Sequence, residues 1–227
     1  MNNQELKSSA LYGLKISLLG DSITTFQGFN PENYAVFYEG ERAENCGVKK
    51  VEDTWWFQVL KELNAELISN DSFSGSLVSG TMFPAGQSDK RIEDLKNDSN
   101  ESPEAILIYL GVNDFGWLVD VEQTFIPAYE EMIKKIKQSF PEAKIVCFTI
   151  LDAVVEGHPE LRLSQRFDAC LDDYNKAIKS IALKEECLVL DIAKENRAYD
   201  SFEGVHPTKR GMSEFSTWVL EEIQAMK

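Results

Sequence analysis

The stretch that decides the fold is Leu14-Lys15-Ile16-Ser17-Leu18-Leu19-Gly20-Asp21-Ser22. A short, nearly continuous apolar run ends abruptly on glycine, then on an acid and a hydroxyl. Apolar residues on both faces of a strand mean burial on both faces, which is the signature of a parallel sheet covered by helices. Four further runs repeat the pattern: Ala65–Asn70 more weakly, then Ala105–Gly111, Lys144–Ile150 and Cys187–Ile192. Helical patterns fill the gaps between them. Thr54 is placed to cap a helix running to about Asn64. Phe125, Tyr129, Met132, Ile133 and Ile136 keep helical spacing, and Pro141 ends that segment. A third stripe starts at Ser164 with Phe167, Leu171, Tyr174, Ile178 and Ile181. Pro207 suits the first position of a last helix, where its missing N–H is not needed. Strand–helix alternation of this kind predicts an α/β doubly wound domain.

The 227 residues suit one domain over 1–227, and 43% hydrophobic content supplies a core. Against 23 basic residues stand 38 acidic ones, a net charge of −15. That balance argues against nucleic acid and anionic membrane surfaces, and sets a mild bias against anionic substrates. The acidic pairs Glu130-Glu131, Asp172-Asp173 and Glu221-Glu222 fall on helices and read as solvated faces. Two histidines exclude any mechanism built on a histidine cluster. The cysteines at 46, 147, 170 and 187 form no C-x-x-C pair, and Cys147 and Cys187 sit in apolar runs as core residues. A reducing, cytoplasmic location is expected, since the first residues carry no apolar signal segment. No apolar run approaches the ~20 residues of a membrane span. The interval 26–53 breaks the alternation. It is a long insertion without clear period, rich in Phe29, Tyr34, Phe37 and Tyr38, and reads either as a packed excursion or as an aromatic wall over a site.

In open parallel sheets, ligands bind beyond the C-terminal strand ends. After the first strand stands Gly20-Asp21-Ser22. After the second comes Asn70-Asp71-Ser72-Phe73-Ser74-Gly75. After the third comes Gly111-Val112-Asn113-Asp114, and past the fifth comes Glu203-Gly204-Val205-His206-Pro207. A hydroxyl, a glycine amide, a carboxamide, a carboxylate and an imidazole meet on one edge, which is the inventory for acyl transfer. Ser22 needs an imidazole to take its proton, and His206 precedes a helix on the correct side. His158 follows the fourth strand and is the weaker base. Glu203, three residues before His206, is placed to orient the ring. The Ser22 and Gly75 N–H groups and the Asn113 amide suit an oxyanion hole. Asp21 and Asp114 read as carboxylates that hold loop N–H groups. Ser72, Ser74 and Ser76 read as turn residues. One of the adjacent Trp55 and Trp56 is expected in the core and the other at the cleft, while Phe115 and Trp117 divide between core and substrate.

These blocks resemble those of the SGNH/GDSL hydrolases. Gly20-Asp21-Ser22-Ile23 is similar to the first, Asn70 to Gly75 to the second, Gly111-x-Asn113-Asp114 to the third and His206-Pro207 to the fifth, in order over residues 20 to 207. The resemblance implies a flavodoxin-like α/β/α sandwich with a five-stranded parallel sheet in the order 2-1-3-4-5. It also implies a serine esterase without cofactor or metal. Its oxyanion donors would include Gly75 and Asn113. One position departs: Glu203 stands where the family usually has Asp, and Asp200, six residues before His206, is the alternative acid. Small acyl groups on a carbohydrate or similar ester are the favoured substrate, with neither nucleic acid nor membrane as a partner and the oligomeric state left open. A lysophospholipase or thioesterase acting on longer chains stays open, as does a ligand-binding module of the same fold. A yellow, flavin-bearing protein would speak for binding, and labelling by a fluorophosphonate for the hydrolase.

Overall fold

The computed structural model describes residues 6–97 and 99–226. Its centre is a five-stranded parallel sheet. The strands are β1 (Lys15–Gly20), β2 (Glu66–Ser72), β3 (Ala105–Tyr109), β4 (Lys144–Phe148) and, fifth along the chain in this sheet, the run Leu188–Leu190. Their spatial order is second-first-third-fourth-fifth, as the resemblance implies. β3 is buried throughout, and β1 is buried from Ile16 on. This is why their sequences read as unbroken apolar runs.

Helices cover both faces. α1 (Gly40–Cys46), α2 (Trp55–Glu62), α3 (Asp89–Glu93), α4 (Val112–Gly116), α5 (Ile126–Ser139), α6 (Leu171–Lys184) and α7 (Lys209–Ala225) follow one another along the chain. α2 packs on α7, while α5 packs on α3 and α6. Thr54 caps α2 by accepting the Phe57 N–H at 3.4 Å. The α5 stripe Tyr129, Met132, Ile133 and Ile136 is fully buried. No helix among the described residues is long and apolar enough to cross a membrane.

Five expectations need correction. First, α6 begins at Leu171, not Ser164. The Ser164 N–H and hydroxyl both donate to the Asp152 carboxylate, at 2.9 and 2.6 Å, which draws residues 163–165 into a separate 3₁₀ turn. Phe167 then leaves the helical stripe and meets Phe115 edge-on. Second, Pro207 lies outside the last helix: it bridges Ser201, and Thr208 caps α7 by accepting the Gly211 N–H at 3.2 Å. Third, Trp55 and Trp56 are both buried. Trp55 stacks on Phe215 of α7 at 4.5 Å, and Trp56 packs against Phe29. Successive positions of α2 thus find cover on two sides, one from α7 and one from the 26–38 loop. Fourth, the interval 26–53 contains helix α1, ended by Gly47 in the left-handed region. Fifth, Glu222 is buried, not solvated; Arg197 and Lys194 reach its carboxylate at 3.2 and 2.6 Å.

A second sheet has no counterpart in the sequence reading. β5 (Asp152–Val155), β6 (His158–Arg162) and β8 (Ala198–Ser201), with β7 now denoting Leu188–Leu190, pair in the order β6-β5-β8. β5 runs parallel to β8, with Asp152 opposite Ala198 and Val155 opposite Ser201. The Ser201 hydroxyl donates to the Val154 carbonyl at 2.6 Å and accepts the Gly204 N–H at 3.0 Å. Tyr199 donates through its hydroxyl to the Val205 carbonyl at 2.7 Å. These bonds fasten the 201–207 loop to the second sheet.

Candidate active site

Ser22 opens a one-turn 3₁₀ helix (Ser22–Thr24) at the end of β1. Asp21 caps that turn, its carboxylate accepting the Ile23 N–H at 3.0 Å. The cap lifts the Ser22 side chain off the end of the strand. Asp21 is fully buried, and burial pushes its carboxyl up to about 7.

The 201–207 loop brings the imidazole to the hydroxyl. His206 Nε2 lies 2.8 Å from Ser22 Oγ. Its other ring nitrogen, Nδ1, is hydrogen-bonded to Glu203 Oε1, and the same oxygen accepts the His206 N–H at 3.3 Å. With Nδ1–H donating to the carboxylate, Nε2 carries the lone pair toward the serine. The extra methylene of Glu203 is absorbed by the tight 203–206 turn, which folds its carboxylate back onto the ring three residues on. Asp200 does not reach the imidazole chain. Its carboxylate accepts the Thr208 hydroxyl, and its carbonyl accepts the Thr208 N–H at 3.0 Å, so its polar groups serve the start of α7. His158 is exposed and lies 3.3 Å from Glu160, on the outer strand of the second sheet.

Two further segments leave the same edge of the sheet, after β2 and β3, whose ends Ser72 and Tyr109 lie opposite Gly20. Gly75 occupies the left-handed region at φ +82°, in the turn after β2. A side chain there would be strained although space is open around it. The Gly75 N–H makes no backbone hydrogen bond among the described residues. Asn113, in the first turn of α4, donates one amide hydrogen to the Ser76 carbonyl at 2.9 Å. That bond ties α4 to the Gly75 turn and leaves the second amide hydrogen to point elsewhere. Gly111 before it stands at φ +124°, and a Cβ there would lie 2.9 Å from Ile150 Cδ1, so only glycine lets α4 start so close to the core. Asp114 accepts the Val78 and Ser79 N–H groups at 2.8 and 3.1 Å, holding the loop that follows Gly75. Ser72 is spent internally: its hydroxyl donates to Asn70 Oδ1, and Asn70 Nδ2 donates to the Thr24 carbonyl.

Of two further residues here, sequence reasoning named Phe37 only as one ring of a candidate aromatic wall and missed Arg91. Phe37 lies flat on the imidazole, with ring centroids 3.4 Å apart and planes 5° apart. The aromatic content of 26–53 was the available signal, but nothing in it pointed to this one ring. Arg91 is the larger omission. It is fully buried on the short helix α3, and its guanidinium uses all its donors. Nε donates to both Asp71 oxygens at 3.1 and 2.9 Å, Nη1 to the Ser76 hydroxyl and the Pro84 carbonyl, and Nη2 to the Gly20 and Asp71 carbonyls. It thereby joins the end of β1, the end of β2 and the Gly75–Ser76 turn. A lone arginine amid a polar stretch carries no pattern that marks it in sequence. Burial pushes the Asp71 carboxyl up, and the guanidinium beside it opposes that rise.

Phe115 belongs to the core, whereas Trp117 is 75% exposed. Cys147 is buried and Cys187 partly so, and all four cysteines are free thiols. No cluster of His, Cys, Asp or Glu shaped to hold a metal ion occurs among the described residues.

Comparison with known proteins places this geometry in context. The sequence model of the GDSL-like lipase/acylhydrolase family matches residues 14–223. A proposed GDSL-like lipase from Bacteroides ovatus has a similar structure, with a TM-score of 0.72, 22% identity, and 94% of this chain and 99% of that one covered. A second, from Bacteroides uniformis, gives a TM-score of 0.71 at 23% identity over 94% and 97% of the two chains. An α/β hydrolase from the metagenome of Lake Arreo, Spain, gives 0.58 at 17% identity over 95% and 97%. At these identities the structural likenesses bear on the fold alone. Comparison with curated protein sequences finds no match.

Proposed function

The chain belongs to the GDSL-like lipase/acylhydrolase family and is an ester hydrolase, and from that premise we propose that it works through Ser22 as nucleophile, His206 as general base and Glu203 as orienting acid. The observation that carries this reading is the unbroken path Glu203–His206–Ser22, with hydrogen-bond distances at both ring nitrogens.

In this reading Ser22 Oγ attacks the acyl carbonyl as its proton passes to His206 Nε2. Glu203 holds the ring in the tautomer that can accept it and stabilises the imidazolium that forms. The oxyanion of the tetrahedral intermediate accepts from the Ser22 and Gly75 N–H groups and the free Asn113 amide hydrogen. His206 then protonates the departing alcohol, leaving an acyl group on Ser22. Water, deprotonated by the same imidazole, releases the acid and restores the serine.

A cavity of about 210 Å³ opens beside Asn113 and Val205, walled by Trp117, Leu163 and Phe167. We take this space beside the Asn113 amide as the place of a short acyl group, in line with removal of small acyl groups from a carbohydrate or a similar ester. The free thiols are compatible with action in the cytoplasm.

The test is a panel of 4-nitrophenyl esters from acetate to decanoate, with acetylated sugars alongside. Ser22→Ala should abolish hydrolysis of every ester while leaving the circular dichroism and melting curve unchanged. Full activity in Ser22→Ala would refute the mechanism, and a preference for decanoate would refute the short-acyl assignment.

A further inference from the structure

We infer that Arg166 selects esters that carry a negative charge a few atoms from the scissile carbonyl, the class being carboxylate- or phosphate-bearing short esters. This rests on the assignment of the catalytic centre to Ser22 and His206 and goes further, to the chemistry of the substrate.

Three observations carry it. The first is how the cations are used. The chain has six arginines, in a protein of net charge −15. Arg91, Arg162, Arg197 and Arg210 each hold a carboxylate within 4.0 Å. Among the described residues Arg166 and Arg42 hold none, and Arg42 lies over the Phe37 ring, outside the cavity beside Asn113. A guanidinium left unpaired in such a field is available to a ligand.

The second is its place. Arg166 lines the cavity beside Asn113, and it is the only charged residue among those that form its walls. Apart from the Asn113 amide, the rest of the wall is apolar or aromatic, so an anion entering there meets one cation. Arg166 also borders the adjoining cavity of about 420 Å³, which contains Glu203 and Gly204. The acids of that second cavity face elsewhere: Glu203 is bonded to His206, and Glu160 lies against His158.

The third is how the side chain is held. Nη1 donates to the Glu203 carbonyl at 3.1 Å, and the guanidinium carbon sits 5.8 Å over the Phe167 ring. These contacts fix the plane of the fork while using one of its five donors. The remaining edge can accept a carboxylate or a phosphate in two parallel hydrogen bonds. The global acidity therefore says little about the local site, and the bias against anionic substrates read from net charge reverses at the cavity.

The experiment compares matched esters. Mono-4-nitrophenyl adipate is set against 4-nitrophenyl hexanoate, and 4-acetoxybenzoate and 4-acetoxyphenyl phosphate against phenyl acetate. The readout is the ratio of kcat/KM for the charged ester over its neutral partner. Arg166→Gln should lower that ratio about 10-fold for at least one charged probe, and Arg166→Lys should restore part of it. Lys134→Gln, which removes one exposed charge on α5, should leave the ratio unchanged. The probe that responds tells an acyl-side from an alcohol-side charge, and carboxylate from phosphate. If Arg166 acts only by bracing Glu203, the variant slows charged and neutral esters alike, the ratio stays constant and the inference is overturned. If the catalytic assignment itself fails, so that Ser22→Ala remains active or nothing is hydrolysed, calorimetric titration of benzoate against benzamide decides. Tighter benzoate binding that Arg166→Gln removes upholds the anion site; equal binding overturns it.

Discussion

Replacing Glu203 by glutamine removes one charge and keeps the side-chain length. In the structure the Glu203 carboxylate accepts from His206 twice through one oxygen, once at Nδ1 and once at the backbone N–H. Its second oxygen is buried without a hydrogen-bond partner, so the group is committed to the imidazole. A glutamine can turn its NH₂ toward Nδ1. The ring then carries its proton on Nε2, facing Ser22, and cannot act as a base. Where the orienting acid of such a triad is buried, the loss is of the order of 10⁴ in turnover. Here the Glu203 side chain is 39% exposed, and water screens part of its effect on the imidazolium. The expected loss in kcat/KM is therefore smaller, roughly 10²- to 10³-fold, or about 3–4 kcal/mol of barrier. Initial rates on 4-nitrophenyl acetate measure it, and proton NMR of the low-field Nδ1–H resonance reports the tautomer directly. Asp200→Asn is the companion variant. It weakens the Thr208 contact at the start of α7 and should lower the melting temperature, with kcat/KM within about 3-fold of the parent. Unchanged kcat/KM in Glu203→Gln, or an equal loss in Asp200→Asn, would falsify the assignment of Glu203.

Other variants probe the support around the site. Asp21 holds its proton up to about pH 7 in the folded chain, while the unfolded chain releases it near 3.8, so stability should fall as pH rises between these values and level off above. Asp21→Asn keeps the acceptor for Ile23; its stability advantage over the parent in urea titrations should grow across that window to a few kcal/mol, and a pH-independent difference would count against the buried carboxyl. Arg91→Ala leaves Asp71 buried without its partner and should cost about 3–5 kcal/mol in urea unfolding. Arg91→Lys should recover only a fraction, because an ammonium cannot reproduce the planar fork that joins β1, β2 and the Gly75 turn; full recovery would show that charge alone suffices. Phe37→Leu removes the ring stacked on His206 and should lower kcat/KM roughly 3- to 10-fold with little effect on KM, on the scale of one aromatic contact.

Much of the candidate site was legible because it depends on local patterns. Ser22, Gly75, Asn113 and His206 each stand just beyond a strand or before a helix, and strand and helix periodicity are written in consecutive residues. The boundaries moved where a side chain outbid the local pattern. Ser164 looked like a helix start until its hydrogen bonds to Asp152 drew it toward β5. The second sheet went unread because its strands are four or five residues long, and two of them are half-exposed or exposed over part of their length. Runs that short carry too little alternation to separate from loop.

By itself, then, the sequence determined the parallel sheet and the residues delivered to the strand ends, since these follow from apolar periodicity and from blocks of adjacent residues, while the strand order came only as what the family resemblance implies. The choice between Glu203 and Asp200 was left to tertiary structure, as were Phe37 over the imidazole, Arg91 beneath the turns and Arg166 at the cavity. Each of these depends on how distant segments approach one another. Glu203 and Asp200 are separated by one turn of chain, and what sends one to the imidazole and the other to Thr208 is the pairing of β8 with β5, a contact between segments some 45 residues apart.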